Sequence, residues 1–183
     1  MDFNELIKIR QSDRKYDIAR KVDRELIVQC LEAARMAPSA CNSQPWKFVV
    51  VDDPDLLPQM SHAASSMGMN KFAAEAPVIL AVVLEKMNFT ARIGSVIKDK
   101  EYSLLDMGIA VEHFCLQAAE LGLGTCIMGW FDEKQVAKLL GIKNRRIPLL
   151  ITLGYSLAPN RNKVRKPLEK MSSWNKSLVS TKH

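Results

Sequence analysis

Two basic pairs stand far apart in this chain. Arg10-Gln11-Ser12-Asp13-Arg14 sets two arginines four positions apart around a serine, and Lys163-Val164-Arg165 forms a second pair near the other end. Guanidinium forks match the geometry of phosphate and carboxylate, so either pair could hold an anion. A solvated helix end is the plainer alternative for the first. Neither pair has the glycine spacing of a P-loop or a dinucleotide fold, so a phosphate held here would be held mainly by side-chain charge. A third stretch, Ala37-Pro38-Ser39-Ala40-Cys41-Asn42-Ser43-Gln44-Pro45-Trp46, carries hydroxyl and amide groups on Ser39, Asn42 and Gln44. Each of these both donates and accepts hydrogen bonds, an inventory that suits the edge of a heterocycle. Pro38 and Pro45 fix their own φ and bias Ala37 and Gln44 away from helix, which makes the stretch stiff. An ordinary helix-to-strand connection uses the same residue types. The residues alone leave both readings open.

Other chemistries find less support. The four cysteines, Cys30, Cys41, Cys115 and Cys126, contain no C-x-x-C pair, and His62, His113 and His183 are scattered. Reduced thiols therefore fit better than a zinc site or a redox dithiol. The net charge of +6 is unevenly placed. Residues 161–183 carry seven cations against Glu169 alone, so residues 1–160 are neutral overall. Such a tail is usually solvated and less often a nucleic-acid arm. This one lacks glycine-rich or aromatic-interleaved character apart from Trp174, and a local anion such as a phosphate is the sharper alternative. Hydrophobic content of 48% and charged content of 25% are those of a globular protein. With no signal peptide and no long apolar run, the expectation is a soluble cytoplasmic protein, with no membrane or nucleic-acid partner and one domain over residues 1–183.

The elements that must position these groups follow from periodicity. A first helix is expected from Asp2, with Glu5 completing a capping box, to about Ile9. A second is capped by Asp23, with Leu26, Ile27, Cys30, Leu31 and Ala34 on one apolar face. Residues 47–51 read as a strand, and residues 56–75 as weakly helical with a break near Gly68. Val78 to Leu84 is a continuous apolar run, as expected of a strand covered on both faces. Residues 103–121 read as a helix stopped by Gly122 and Gly124, with Asp106, His113, Gln117 and Glu120 on one narrow polar stripe. It should be buried almost all round, as a central helix or a subunit interface. Thr125 to Trp130 reads as a short strand. Asp132 and Gln135 open a helix closed by Gly141, and Ile147 to Leu153 is a last strand. Four apolar strands among helices, without strict β-α-β alternation, indicate an α+β fold: a central, mostly antiparallel sheet of four to five strands flanked by helices.

Taken in order, the motifs resemble those of the nitroreductase family of FMN-dependent oxidoreductases. They are Arg10-x-Ser12-x-Arg14, Pro38-Ser39-x-x-Asn42-x-Gln44-Pro45-Trp46, Leu121-Gly-Leu-Gly124 leading into Cys126-Ile-Met-Gly129-Trp130-Phe131-Asp132, Gly154-Tyr155, and Lys163-x-Arg165. The resemblance spans roughly residues 3–170 and implies an intertwined homodimer with FMN at the interface. The implied cofactor contacts are Arg10, Gln11, Ser12, Arg14, Pro38, Ser39, Ala40, Asn42, Gln44, Ile127, Met128, Gly129, Lys163 and Arg165. Among these, Arg10, Ser12, Lys163 and Arg165 would hold the FMN phosphate and ribityl chain, and Arg14 would lie toward the pyrimidine end as an electrostatic stabiliser. Pro38, Ser39 and Asn42 would come from the partner subunit, with Gln44 supporting their loop. Met128 and Gly129 would sit beside the flavin ring and offer it a backbone N–H. The helix over 103–121 would then be the dimer helix.

The resemblance further implies ping-pong hydride transfer from NAD(P)H through flavin N5 to a small electron-poor acceptor, such as a nitroaromatic, quinone or enone, with no protein acid, base or nucleophile required. Reductive dehalogenation or flavin destruction on the same fold is the alternative enzyme reading, and a basic-tailed nucleic-acid-binding protein is the alternative from another class. Two departures from the pattern stand out. Gln11 stands where a second arginine is frequent, and residues 85–102 are short for a segment that shapes the acceptor pocket in larger members. Met67, Met69, Phe89 and Trp130 are candidates to line that pocket.

Overall fold

The structure, a computed structural model, describes residues 1–88 and 101–175. In chain order the main elements are α1 (Phe3–Ile9), α2 (Arg24–Arg35), β1 (Trp46–Val51), α3 (Leu57–Ala64), β2 (Val78–Leu84), α4 (Tyr102–Glu120), β3 (Gly124–Met128), α5 (Glu133–Leu139) and β4 (Arg146–Gly154). The four strands form one sheet in the order β1-β2-β4-β3, antiparallel throughout. The α+β expectation is met, at the lower of the two strand numbers.

β2 is the strand expected to be covered on both faces, and Val78 through Val83 are all buried. Alternation along it divides the core in two. Val78, Leu80 and Val82 face α2 and α4, meeting Ile27, Cys30, Met107, Val111 and Phe114. Ile79, Ala81 and Val83 face α3 and α5, meeting Met60, Ala63, Val136 and Tyr16. Phe114 is fully buried and stacks on Phe48 at 5.7 Å between ring centroids. Burying a ring of this size contributes about 2–3 kcal/mol. No described helix is long and apolar enough to cross a membrane.

Several local expectations are corrected. The capping box foreseen at Asp2 and the side-chain cap foreseen at Asp23 do not form, because neither aspartate side chain bonds a helix amide. At both starts the carbonyl of the aspartate takes the first bonds instead, and the exposed amides are left to water. Asp132 does cap, accepting from the Gln135 amide at 2.9 Å, and its own amide is pinned to the Ala63 carbonyl. The expected helical stretch 56–75 is α3 followed by two short 3-10 turns, Ser66–Gly68 and Lys71–Glu75, with Gly68 at a φ of 78°. β3 begins at Gly124 and ends before Gly129 and Trp130, one residue earlier and two residues shorter than expected at its end.

Within its own chain α4 is covered on one side only. Its inward stripe is buried, but Leu104, Leu105 and Ile109 on the other side are exposed, Leu105 at 61%. Apolar content does not by itself say which faces of a helix the rest of its chain covers.

Candidate functional site

The segment after α1 is led across the sheet rather than away from it. Ser12 makes a parallel bridge with Thr125 at the outer edge of β3, and the Asp13 amide donates to the Thr125 carbonyl at 2.8 Å. Four residues on, Tyr16 bridges Ser156 just beyond β4. The Tyr16 hydroxyl donates to the Asp13 carbonyl at 2.9 Å and pairs with Thr152 Oγ1 at 2.7 Å, and burial drives its ionisation far above the ordinary range. Gly124 makes this approach sterically feasible. A Cβ there would stand 2.8 Å from Asp13 Oδ2 and 2.9 Å from Ser156 Cβ.

With residues 10–14 fixed along β3, the chain leaving β4 returns beside them. Arg10, Gln11, Ser12 and Arg14 then face Arg161, Asn162, Lys163, Val164 and Arg165 across a cleft of about 290 Å³. The two basic pairs, 149 positions apart from Arg14 to Lys163, form one site. Lys163 Nζ donates to the carbonyls of Ile7 and Arg10, and the Arg161 guanidinium donates to the Ser12 carbonyl. Burial lowers the Lys163 pKa, and the neighbouring Arg10 and Arg165 charges lower it further. Glu112 on α4 opposes this and lies 3.4 Å from Arg10 Nε. The cleft thus concentrates like charge around carbonyls and one carboxylate, an arrangement suited to a dianion such as a phosphomonoester. Arg14 also stands over the Phe72 ring at 5.9 Å from its centroid.

The loop with the amide and hydroxyl groups lies elsewhere. Neither Pro38, Ser39, Ala40, Asn42 nor Gln44 lines the basic cleft. Its backbone is bent sharply: Cys41, Asn42 and Gln44 have φ of 51°, 50° and 47°. Left-handed conformations cost a non-glycine residue roughly 1–2 kcal/mol, so the loop must be held. The holding bonds are the Ala40 amide to Asp106 Oδ2 at 3.0 Å, the Gln44 amide to Ser39 Oγ at 2.9 Å, and the Gln44 side chain to Asn42 Oδ1 at 3.0 Å. Gln44 therefore holds the loop through both its backbone amide and its side chain. Asp106 is buried on α4 and turned to a backbone amide of this loop.

At the end of β3, Ile127 is partly exposed while the Met128 side chain is buried in the core on the α3 side. Met128 can present only its backbone to a ligand. Gly129 follows in open space, its nearest prospective Cβ contact being Leu149 at 3.9 Å. Met69 and Trp130 are exposed and joined through Asn70, whose Nδ2 donates to the Trp130 carbonyl at 2.7 Å. Phe89 lies outside the described residues, as does most of the 85–102 segment. Cys41 is exposed, whereas burial pushes the Cys30 and Cys115 thiols up to about 12.

Sequence reasoning missed four participants. Arg161 and Asn162 line the cleft, and their place two residues and one residue before Lys163 was the available signal. Asp106 was assigned only to a polar stripe, although an acid in so apolar a helix asks for a buried partner. Asp13 was passed over between two arginines.

Comparison with known proteins places this geometry. The family model described as "Nitroreductase family" matches residues 7–68 and 60–155. An oxygen-insensitive NADPH nitroreductase of Helicobacter acinonychis is 28% identical, covering 93% of this chain and 95% of its own length. An NADH dehydrogenase of Thermus thermophilus is 30% identical, covering 90% of this chain and 92% of its own. Among solved structures, an FMN-dependent nitroreductase of Clostridium difficile superposes with a TM-score of 0.76 at 25% identity, covering 94% of this chain and 98% of that one.

Proposed function

The chain belongs to the nitroreductase family, and on that footing we propose that it is an FMN-dependent oxidoreductase that takes its electrons from NAD(P)H and delivers them to a small electron-poor acceptor. The observation that carries this reading is the basic cleft, where Arg10, Ser12 and Arg14 meet Lys163 and Arg165. Its donor set fits a phosphomonoester, and the solved relative named above is described as FMN-dependent. Bound there, FMN would supply hydride transfer at its N5 atom, in from NAD(P)H and out to a nitroaromatic, quinone or enone in a ping-pong sequence.

The protein's part is to bind and orient. Arg10 and Arg165 supply forked donors to the phosphate, Lys163 a point charge, and the Ser12 hydroxyl a further donor. Arg14 sets a fixed positive charge toward the pyrimidine edge, where a preorganised cation stabilises developing negative charge. Ile127, Met128 and Gly129, at the exposed end of β3, offer backbone groups to the ring. The protons that reduction of a nitroaromatic, quinone or enone consumes would come from solvent.

A homodimer completes the reading. The loop carrying Pro38, Ser39, Ala40 and Asn42 is fastened to α4 by Asp106 and stands off its own chain's cleft, so it would serve the cleft of a second copy. The uncovered Leu104, Leu105 and Ile109 on the same helix supply the apolar surface for that pairing. We read the protein as a soluble cytoplasmic enzyme with neither nucleic acid nor membrane as partner.

The test is direct. Purified protein should be yellow, carry FMN, and bleach on anaerobic addition of NADH or NADPH. Protein that takes up no FMN from excess cofactor refutes the assignment.

A further inference from the structure

Behind the basic cleft the two segments that form it are joined by a chain of polar side chains. The Asp13 carboxylate, only 5% exposed, accepts from Ser156 Oγ at 2.6 Å and from Gln11 Nε2 at 3.0 Å on the same oxygen. Gln11 Nε2 also donates to the Pro159 carbonyl at 3.2 Å, and Gln11 Oε1 accepts from the Arg161 amide at 3.0 Å. Ser156 Oγ in turn accepts from the Ala158 amide at 3.1 Å. The Arg161 guanidinium closes the circuit on the Ser12 carbonyl.

A primary amide has two N–H donors. Both donors of Gln11 are committed to protein acceptors, which leaves it none for a phosphate. Asp13 repels a phosphate and is buried away from it. Ser156 does not line the cleft. Yet together these residues fix where residues 159–161 run relative to residues 11–13, and so where Lys163 and Arg165 stand relative to Arg10 and Ser12. Without such a tether, five like-charged side chains gathered in one cleft would tend to move apart.

We infer that Gln11, Asp13 and Ser156 are positioning residues for the cofactor phosphate: they clasp the two basic segments together and never touch the ligand. The inference rests on the FMN reading and revises one part of it, since Gln11 then acts through Asp13 and Arg161 and makes no contact of its own. The clasp predicts a signature that general damage to the fold lacks. It should matter for FMN, which has a phosphate, and not for riboflavin, which lacks one.

The experiment titrates both flavins into wild type, Ser156→Ala and Gln11→Ala. Ser156→Ala removes the hydrogen bond farthest from the ligand, and Gln11→Ala, at the cleft rim, is the variant that spares the buried carboxylate if the first folds poorly. Each is expected to weaken FMN about tenfold, the effect of losing one hydrogen bond to a charged group. Riboflavin affinity should change by less than about twofold, within the usual range of a surface substitution. The double variant should lose less than the product of the single losses, because both break one chain. Equal weakening of both flavins, or unchanged FMN binding by Ser156→Ala, overturns the clasp. Wild type that binds FMN no better than riboflavin refutes the phosphate cleft itself, and the clasp with it.

Discussion

Gly124→Ala tests how tightly the sheet edge and the cofactor cleft are bound together. The added methyl would stand 2.8 Å from Asp13 Oδ2, 2.9 Å from Asp13 Cγ and 2.9 Å from Ser156 Cβ. Gly124 has no positive φ, so the backbone accepts alanine and the whole effect is contact. Real Cβ atoms do not come this close, and the two neighbours cannot both yield cheaply. Asp13 is held by Ser156 and Gln11, and Ser156 is fixed by its bridge to Tyr16. Overpacking of this kind costs about 1–3 kcal/mol. If the carboxylate swings out instead, the lost charged hydrogen bonds cost about 1.5–3 kcal/mol. The two routes together span a loss of about 1–3 kcal/mol, or roughly 2–12 °C in Tm for a domain of this size. Urea unfolding and differential scanning calorimetry read the stability, and flavin titration reads the cleft, where FMN should weaken about tenfold by the same hydrogen-bond loss. In the Gly124→Ala/Asp13→Ala double variant the cost should fall below the sum of the singles, since one of the two clash partners is gone. A Gly124→Ala protein that melts within about 1 °C of wild type and binds FMN normally would refute this account of the edge, because a ~1 °C shift is well under 1 kcal/mol.

Three further outcomes are expected. Arg165→Ala should weaken FMN by removing a phosphate partner worth roughly 1.5–3 kcal/mol while leaving riboflavin binding intact, and unchanged FMN affinity in a flavin titration would disprove its role. Leu105→Glu, which sets a charge on the uncovered face of α4, should raise the dissociation constant of the proposed homodimer about a hundredfold or more in sedimentation velocity, the cost of an unpaired charge at a buried interface; a variant that sediments as wild type would rule out α4 as the pairing surface. Alkaline pH should destabilise the fold through Cys30 and Cys115, whose thiols rise from 9.0 to about 12. Raised acid pKa values favour the protonated folded state, so this stability is fully present below pH 9 and is lost between pH 9 and 12, at about 1.4 kcal/mol per pH unit for each thiol. Urea unfolding across that window should show a shallower slope in Cys115→Ala than in wild type.

What the sequence made legible was whatever periodicity and charge type encode. The strand Val78–Leu84 declared its two-sided burial through an unbroken apolar run, whereas the basic pairs at Arg10 and Lys163 offered an anion site only as one of two readings. That the pairs meet depends on the Ser12–Thr125 bridge, which is tertiary and has no local signature. Gly124 was legible as a helix stop, yet its close approach to Asp13 depends on a side chain 111 positions away. Asp2 and Asp132 are the same residue type ahead of a helix, and only Asp132 caps, because its backbone is held by α3. The exposed side of α4 was hidden for a different reason. Composition fixes how apolar a helix is, not which of its faces the rest of the chain covers.

The bridge from Ser12 to Thr125 has a consequence for how this protein can assemble. It lays the segment 11–13 along the outer side of β3, so that side of the sheet is partly occupied by the chain itself. Among the described residues β1 pairs only with β2, which leaves its other side as the open end of the sheet, with Lys47 exposed on it. A sheet open at both ends can add copies without limit and grow into a fibre. The same few residues that bring Arg10 and Arg14 to the cleft therefore also leave less of the β3 edge for another strand to pair with than of the β1 edge, where edge-to-edge pairing between copies would start.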